Sequence, residues 1–578
     1  MRRFCKSVIT AGVFLSTCNA VAADFTAASA PAGAVNALQN LTQVYDPGRV
    51  SSQVQQAMPR LQNYAPKPLV SAPKQAPASN SDKIHFKLMR IVVKGNTIFP
   101  KRVFSDIFKS SMKQQITLTD LQNMVHQVTT KYREAGYILT RAILPPQVIK
   151  DGVVQVQIIE GFVSGVKING DMGRLQPLLQ SYGDHIMQSR PLQIHVLERY
   201  ALLANDLPGV SVQTVITPSK TVPAGADLTL VVVSRRHLSG FVTYDNYGTR
   251  YIGPDEVAVG ASLYSVFVPG DSNNLRISTT SNTHELRFIE VTHAQPIGAN
   301  GLHWQFGSDF TETRPDFILE PLEIIGRNFL VFTDFSYPII RDRSLNFSVH
   351  TTANYQNSTS TILTQPFYQD RIRSLVIGGN FDNTDSWHGI STVNFDVTHG
   401  FPIFGAHDHE LQSRPLGQAS YTRLNSAVSR LQGLTSRFSI FATIRGQYTS
   451  VPLLATEQYG VGGPDIGRGY DPSEIVGDKG ISGKVELRFD TAPGMRLLNA
   501  VEYYMFYDAG MIWNNDDVNL PAKQDLTSTG IGARISFMPN LSATLFIARP
   551  LTRKVATMVA LQHNPNQVRG YFQFVLTA

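Results

Sequence analysis

Across residues 236–578, apolar and polar side chains alternate one by one. "RFSIFATIRGQY" sets Phe438, Ile440, Ala442 and Ile444 against Arg437, Ser439, Thr443 and Arg445. "GKVELRFD" sets Val485, Leu487 and Phe489 against Lys484, Glu486, Arg488 and Asp490. "VEYYMFYDAG" sets Val501, Tyr503, Met505 and Tyr507 against Glu502, Tyr504, Phe506 and Asp508, and "GYFQFVLTA" lines up Phe572, Phe574, Leu576 and Ala578. A period of two is the strand period, so each segment predicts a strand with one greasy and one wet face. A soluble β-sandwich shares this pattern. Dense charge on the polar faces and frequent aromatics on the apolar ones favour a membrane barrel.

Residues 84–235 have a different texture, and it occurs twice. In 84–161, "KLMRIVVKGN" predicts a strand. A helix around Val103–Phe108 follows, then a longer one through "LTDLQNMVHQVTTKYREAGY" stopped by Gly136, and the strands "ILTRAILP" and "VVQVQIIEG". In 162–235 the order repeats as "VSGVKING", "RLQPLLQSY", "PLQIHVLERYALLANDL", "VSVQTVITP" and "DLTLVVVSR". A tandem β-α-α-β-β unit is an internal repeat. Ahead of it, Asp46-Pro47 opens a short helix with Val50, Val54, Ala57 and Met58 on one side, within a segment spanning 24–58. The Pro-, Ala-, Ser- and Lys-rich stretch 59–83 reads as an extended linker.

Composition adds the compartment. Arg2, Arg3 and Lys6, the apolar run Val8–Leu15 and the small residues Ala20-Val21-Ala22 or Val21-Ala22-Ala23 make residues 1–23 a secretory signal. Both cysteines, Cys5 and Cys18, fall inside it, so the mature chain is expected to hold no disulfide, cysteine nucleophile or thiolate metal site. The signal carries three basic residues and no acid, so the formal charge of +7 falls to +4, a balance that does not point to nucleic acid. No later apolar run is long enough for a membrane helix, so by composition the exported chain is either soluble or crosses a membrane as a β-barrel. The chain has no phosphate-binding glycine-rich lysine loop, no nucleophile elbow and no zinc-protease helix motif, so neither nucleotide-driven work nor hydrolysis is indicated. His407 to Glu410, "HDHE", read as a polar loop rather than a metal site. Glu486 and Glu502 read as a polar wall rather than an acid–base pair.

One stretch breaks the alternation: "DIGRGYDPSEIVGDKG", residues 465–480, with Arg468 between Gly467 and Gly469. It resembles the Val-Arg-Gly-Tyr loop, and the Gly-Asp that follows, of the TpsB transporters of two-partner secretion. These are the haemolysin and filamentous-haemagglutinin secretion/activation proteins. "YREAGYILTRAILPPQVIKDGVVQVQIIEG" resembles the end of that family's first polypeptide-transport-associated (POTRA) domain, and "YDNYGTRYIGPDEVAVGASL" its first barrel hairpin.

The resemblance implies a 16-stranded antiparallel transmembrane β-barrel over 236–578, at about 21 residues per strand and connection. It implies POTRA domains at 84–161 and 162–235, and a plug helix within 24–58. Gly467, Arg468, Gly469 and Tyr470 are the implied loop tip, with Gly477 and Asp478 following. Phe506, Asp508 and Gly510 match the family's Phe-x-Asp-x-Gly partner motif, and alternation independently puts Asp508 on the polar face. The family's valine is Gly467 here, which is expected to loosen the tip. The implied function is ATP-independent secretion of one large TpsA-type exoprotein, captured by the POTRA domains, by a cofactor-free monomer in outer-membrane lipid. An assembly factor that inserts other barrels is the alternative within the superfamily. A surface adhesin or enzyme with an exported domain is the third reading.

Overall fold

The computed structural model describes residues 45–58, 85–100, 102–492, 494, 498–515, 521–552 and 567–578. The signal, the segment before Tyr45 and the linker 59–83 lie outside the described residues.

The first module comprises β1 (His85–Lys87), β2 (Arg90–Lys94), β3 (Gln115–Thr117), β4 (Arg141–Ile143) and β5 (Val153–Ile159). Its helices span Arg102–Phe108 and Leu118–Glu134. The longer helix starts at a capping box: Thr117 accepts from the Asp120 N–H while Asp120 accepts from the Thr117 N–H. Gly136, at φ +89°, follows its end. In the three-stranded sheet, β5 lies between β2 (parallel) and β4 (antiparallel). β4 is cut short by Pro145-Pro146. The Gln147 amide then takes over the ladder, donating to Gln155 O at 2.8 Å and accepting from Gln155 N–H at 2.7 Å.

The second module repeats the arrangement with β6 (Phe162–Gly170), helices Gln176–Gln188 and Ile194–Asp206, β7 (Val210–Pro218) and β8 (Gly225–Arg235), the sheet running β6-β8-β7. Its core gathers Leu175, Leu179, Tyr182 and Ile186 with Leu197, Leu228 and Leu230.

The remaining chain closes into a barrel of sixteen antiparallel strands, β9–β19 and β22–β26. They are β9 (Leu238–Asp245), β10 (Glu256–Tyr264), β11 (Ser272–Thr280), β12 (Leu286–Ile297), β13 (Leu302–Thr313), β14 (Ile325–Arg341), β15 (Leu345–Ile362) and β16 (Gln365–Thr384). β17 (Gly389–Gly400), β18 (Thr422–Gly433) and β19 (Phe438–Thr449) follow. After a small hairpin, β20 (Tyr459–Val461) with β21 (Ile475–Gly477), come β22 (Lys479–Thr491), β23 (Ala500–Trp513), β24 (Lys523–Met538), β25 (Leu541–Pro550) and β26 (Arg569–Thr577). Pairing of β26 with β9 closes the ring.

The two faces of each strand part as the alternation predicts. Ile444, Val485, Met505, Tyr507 and Ile531 stand exposed on the outside, while Asp508 and Glu486 are buried inside at 0% exposure. An apolar outer wall of this extent is a lipid-facing surface. Among the described residues no helix is long and apolar enough to cross a membrane.

Candidate functional site

A helix and a loop occupy the lumen. Helix α1 (Pro47–Ala57) begins at Asp46, whose carboxylate caps the Arg49 N–H at 3.0 Å, with Pro47 in the first turn. Tyr45, Val50, Val54 and Met58 pack with Phe241, Tyr251, Phe288 and Leu322 of the barrel and its loops. Much of the polar side is bonded to its surroundings. Asp46 accepts from Tyr368 (2.7 Å), Ser358 (3.2 Å) and Thr456 (2.8 Å). Ser51 and Gln55 donate to Asp309 at 2.9 and 3.2 Å. Gln53 donates to Ser473 at 2.7 Å, and Arg49 donates to the carbonyls of Ala455 and Gln458. Each of these polar side chains meets the wall or a loop.

The loop between β19 and β22 folds back inward on the β20–β21 hairpin, and Arg468 sits at its tip with 2% of its surface exposed. Its guanidinium grips Asp508 with two donors, Nε at 3.0 Å and Nη2 at 2.6 Å, while Nη1 donates to Glu486 at 2.7 Å. The Phe506 ring lies under the guanidinium, 3.5 Å from Cζ to the ring centroid. Phe506 and Asp508 both point inward because they are two residues apart on β23. At Gly510, two further on, a Cβ would come within 2.4 Å of Val461 in the hairpin. The Phe-x-Asp-x-Gly spacing thus supplies a platform, an anion and a clearance on one face of one strand.

The tip is stapled rather than loose. Gly467 takes φ +89°, where side chains are disfavoured, and the N–H groups of Gly467 and Arg468 both donate to Asp508 Oδ2, at 3.1 and 3.0 Å. Any loosening expected of a glycine at this position is opposed by those two bonds. Gly469 lies against Pro550. The fully buried Tyr470 donates to Thr527 O and accepts from the Thr552 N–H, both at 3.0 Å. Flanking acids repeat the grip: Asp465 meets Lys484 and Arg445, and Asp471 meets Arg250 and Arg569.

Gly477 ends β21, and Asp478 is fully buried but does not join Arg468; it pairs with Arg414 at 2.5 Å. Sequence reasoning left Glu486 as plain wall. In the structure it is the hub of the cluster, bonded to Arg468, Arg488 (2.7 Å) and Arg534 (3.0 Å), with Glu502 beside Arg534. Its place on the polar face was the available signal, and Arg488, two residues on along the same strand, shares that face; Arg534 comes from a strand that pairing alone brings near, and Arg468 from the loop. In the 401–421 loop, Asp408 of "HDHE" caps the Ala419 N–H at 2.8 Å. Bonded carboxylates, arginines, hydroxyls and amides at this density make a polar lumen occupied by one helix and one loop.

Known proteins place this architecture. The chain is 24% identical over 482 residues to the heme/hemopexin transporter protein HuxB of Haemophilus influenzae (strain 86-028NP), covering 78% of this chain and 80% of HuxB. It is 22% identical over 507 residues to the outer membrane transporter CdiB of Dickeya dadantii (strain 3937), covering 86% and 87%. The solved structure of CdiB from Escherichia coli has the same fold, with a TM-score of 0.71 at 17% identity over 94% of this chain and 98% of that one. The family model for ShlB-type POTRA domains matches residues 86–161. That for haemolysin secretion/activation proteins ShlB/FhaC/HecB matches residues 225–535, more than half of the chain. The chain therefore belongs to the ShlB/FhaC/HecB family, the two-partner secretion transporters, its barrel in the outer membrane and its POTRA domains in the periplasm.

Proposed function

We propose that this transporter carries one large TpsA-type exoprotein from periplasm to cell surface, as an extended chain and without nucleotide hydrolysis. The observation that carries the reading is a polar lumen filled by a helix joined to the wall by side-chain bonds and by a folded-back loop whose tip is gripped through Arg468. Each POTRA sheet has a central strand, β5 or β8, flanked by edge strands, and such edges suit capture of an extended substrate by main-chain hydrogen bonds. Folding of the cargo outside then supplies direction by mass action. The transporter acts as a monomer in outer-membrane lipid, with no cofactor and no role for nucleic acid.

Depletion in the native host tests this reading against an assembly factor. Loss of one large protein from the surface or medium, with other outer-membrane barrels at normal levels, is the expected result. A general fall in barrel proteins would replace secretion with assembly.

A further inference from the structure

Besides the Arg468 cluster, one ion pair among the described residues is essentially out of solvent. Arg414 and Asp478 have side chains 1% and 0% exposed. Arg414 comes from the 401–421 loop, and Asp478 from the end of the folded-back segment. The guanidinium donates from Nη1 to Oδ1 at 2.5 Å and from Nη2 to Oδ2 at 3.3 Å, and Nη1 also donates to Leu453 O at 2.7 Å. Asp478 further accepts from the N–H groups of Leu453 (2.9 Å) and Asn515 (2.8 Å). The beginning and end of the folded-back segment, the 401–421 loop and the connection after β23 therefore converge on one carboxylate. The neighbouring Ser413 hydroxyl accepts from the Ala455 N–H at 2.9 Å. The next groups along this stem are the Ala455 and Gln458 carbonyls that receive Arg49 of α1, and the Thr456 hydroxyl that reaches Asp46.

We propose that Arg414 is a positioning residue for the resting state: its pairing with Asp478 fixes the loop stem, and the fixed stem is the socket that retains α1. Arg468 holds the tip. Arg414 holds the base, and through the base the plug. The proposal rests on the reading that α1 and the loop close the passage. A forked guanidinium is needed because it spans both carboxylate oxygens and Leu453 O together, which a lysine ammonium does not.

The test uses the full chain in planar bilayers, with insertion checked by the heat-dependent gel shift of a folded barrel. Arg414→Gln is expected to raise the fraction of time in the open level about tenfold or more, as a shift of a two-state equilibrium. Arg414→Lys should restore retention in part. In a chain lacking residues 24–58, Arg414→Gln should add nothing. If Arg414→Gln matches the native chain while the deletion opens the channel, the positioning role is overturned and the plug reading stands. An effect undiminished in the deleted chain also overturns it, because the residue would then act without the helix. If the deletion itself opens nothing, the plug reading falls and takes this proposal with it. Should Arg414→Gln fail to insert, Asp478→Asn, which nearly preserves shape while removing the charge, is judged by the same outcomes.

Discussion

Asp508 accepts five hydrogen bonds: two guanidinium donors, two backbone N–H groups and the Ser528 hydroxyl at 3.2 Å all aim at its carboxylate. Removing one member of such a buried pair costs about 3–5 kcal/mol, because the other charge stays behind unpaired. Arg468→Ala is therefore expected to impair export and alter conductance while leaving barrel insertion largely intact; unchanged export and conductance in an inserted barrel would show the clasp idle. The Arg468–Asp508 grip was legible only through the resemblance to the family's loop and Phe-x-Asp-x-Gly motif; alternation added the polar face for Asp508. Glu486 had the same parity signal, but parity names a face and not a partner. Arg414 carried no signal at all: it sits in a loop without periodicity, and its carboxylate lies 64 residues away.

At the scale of elements, α1 shows what a helical pattern reveals and what it hides. The Asp46-Pro47 start and the Val50/Val54 spacing marked the helix. Its seat did not show, since Arg49, Ser51, Gln53 and Gln55 suit water as well as a polar wall. Every one of those side chains bonds across to the barrel or a loop, so the helix leaves only by exchanging these bonds for water, at a net cost of about 1 kcal/mol per bond and more for Arg49. Deletion of residues 24–58 is accordingly expected to raise single-channel conductance in planar bilayers, and a resting-level conductance after deletion would rule the helix out as the plug. The short β4 is a second case. "ILTRAILP" reads as one long strand, yet only Arg141–Ile143 pair, because the prolines that follow have no N–H to offer and a glutamine side chain completes the edge.

For the whole molecule, the sixteen-strand ring was inherited from the family resemblance rather than counted along the chain, because the pairing that closes it, β26 with β9, joins the two ends of the barrel sequence. Nor did the sequence show how firmly the second POTRA domain is docked. Arg341 at the foot of β14 grips Asp206 with two donors, at 2.8 and 2.6 Å, and Arg199 donates to Asn300 O (2.9 Å) and Ile339 O (3.2 Å). Leu207 and Leu203 pack against the turn glycines Gly270 and Gly301. Partly exposed ion pairs each contribute about 0–1 kcal/mol, so Arg341→Ala alone should change little. Arg341→Ala with Arg199→Ala should broaden the distance distribution between spin labels on this domain and on the periplasmic turns. A distribution as narrow as the native one would assign the docking to the leucines.

The cluster around Glu486 has a mechanical corollary. At rest, Arg468, Arg488 and Arg534 balance Glu486, Glu502 and Asp508. Any excursion of the loop takes Arg468 from Glu486 and Asp508, and takes Asp465 and Asp471 from Lys484, Arg445, Arg250 and Arg569, so it parts charges of both signs in a confined space. The attraction between the parted charges opposes that separation and favours the loop's return to its seat.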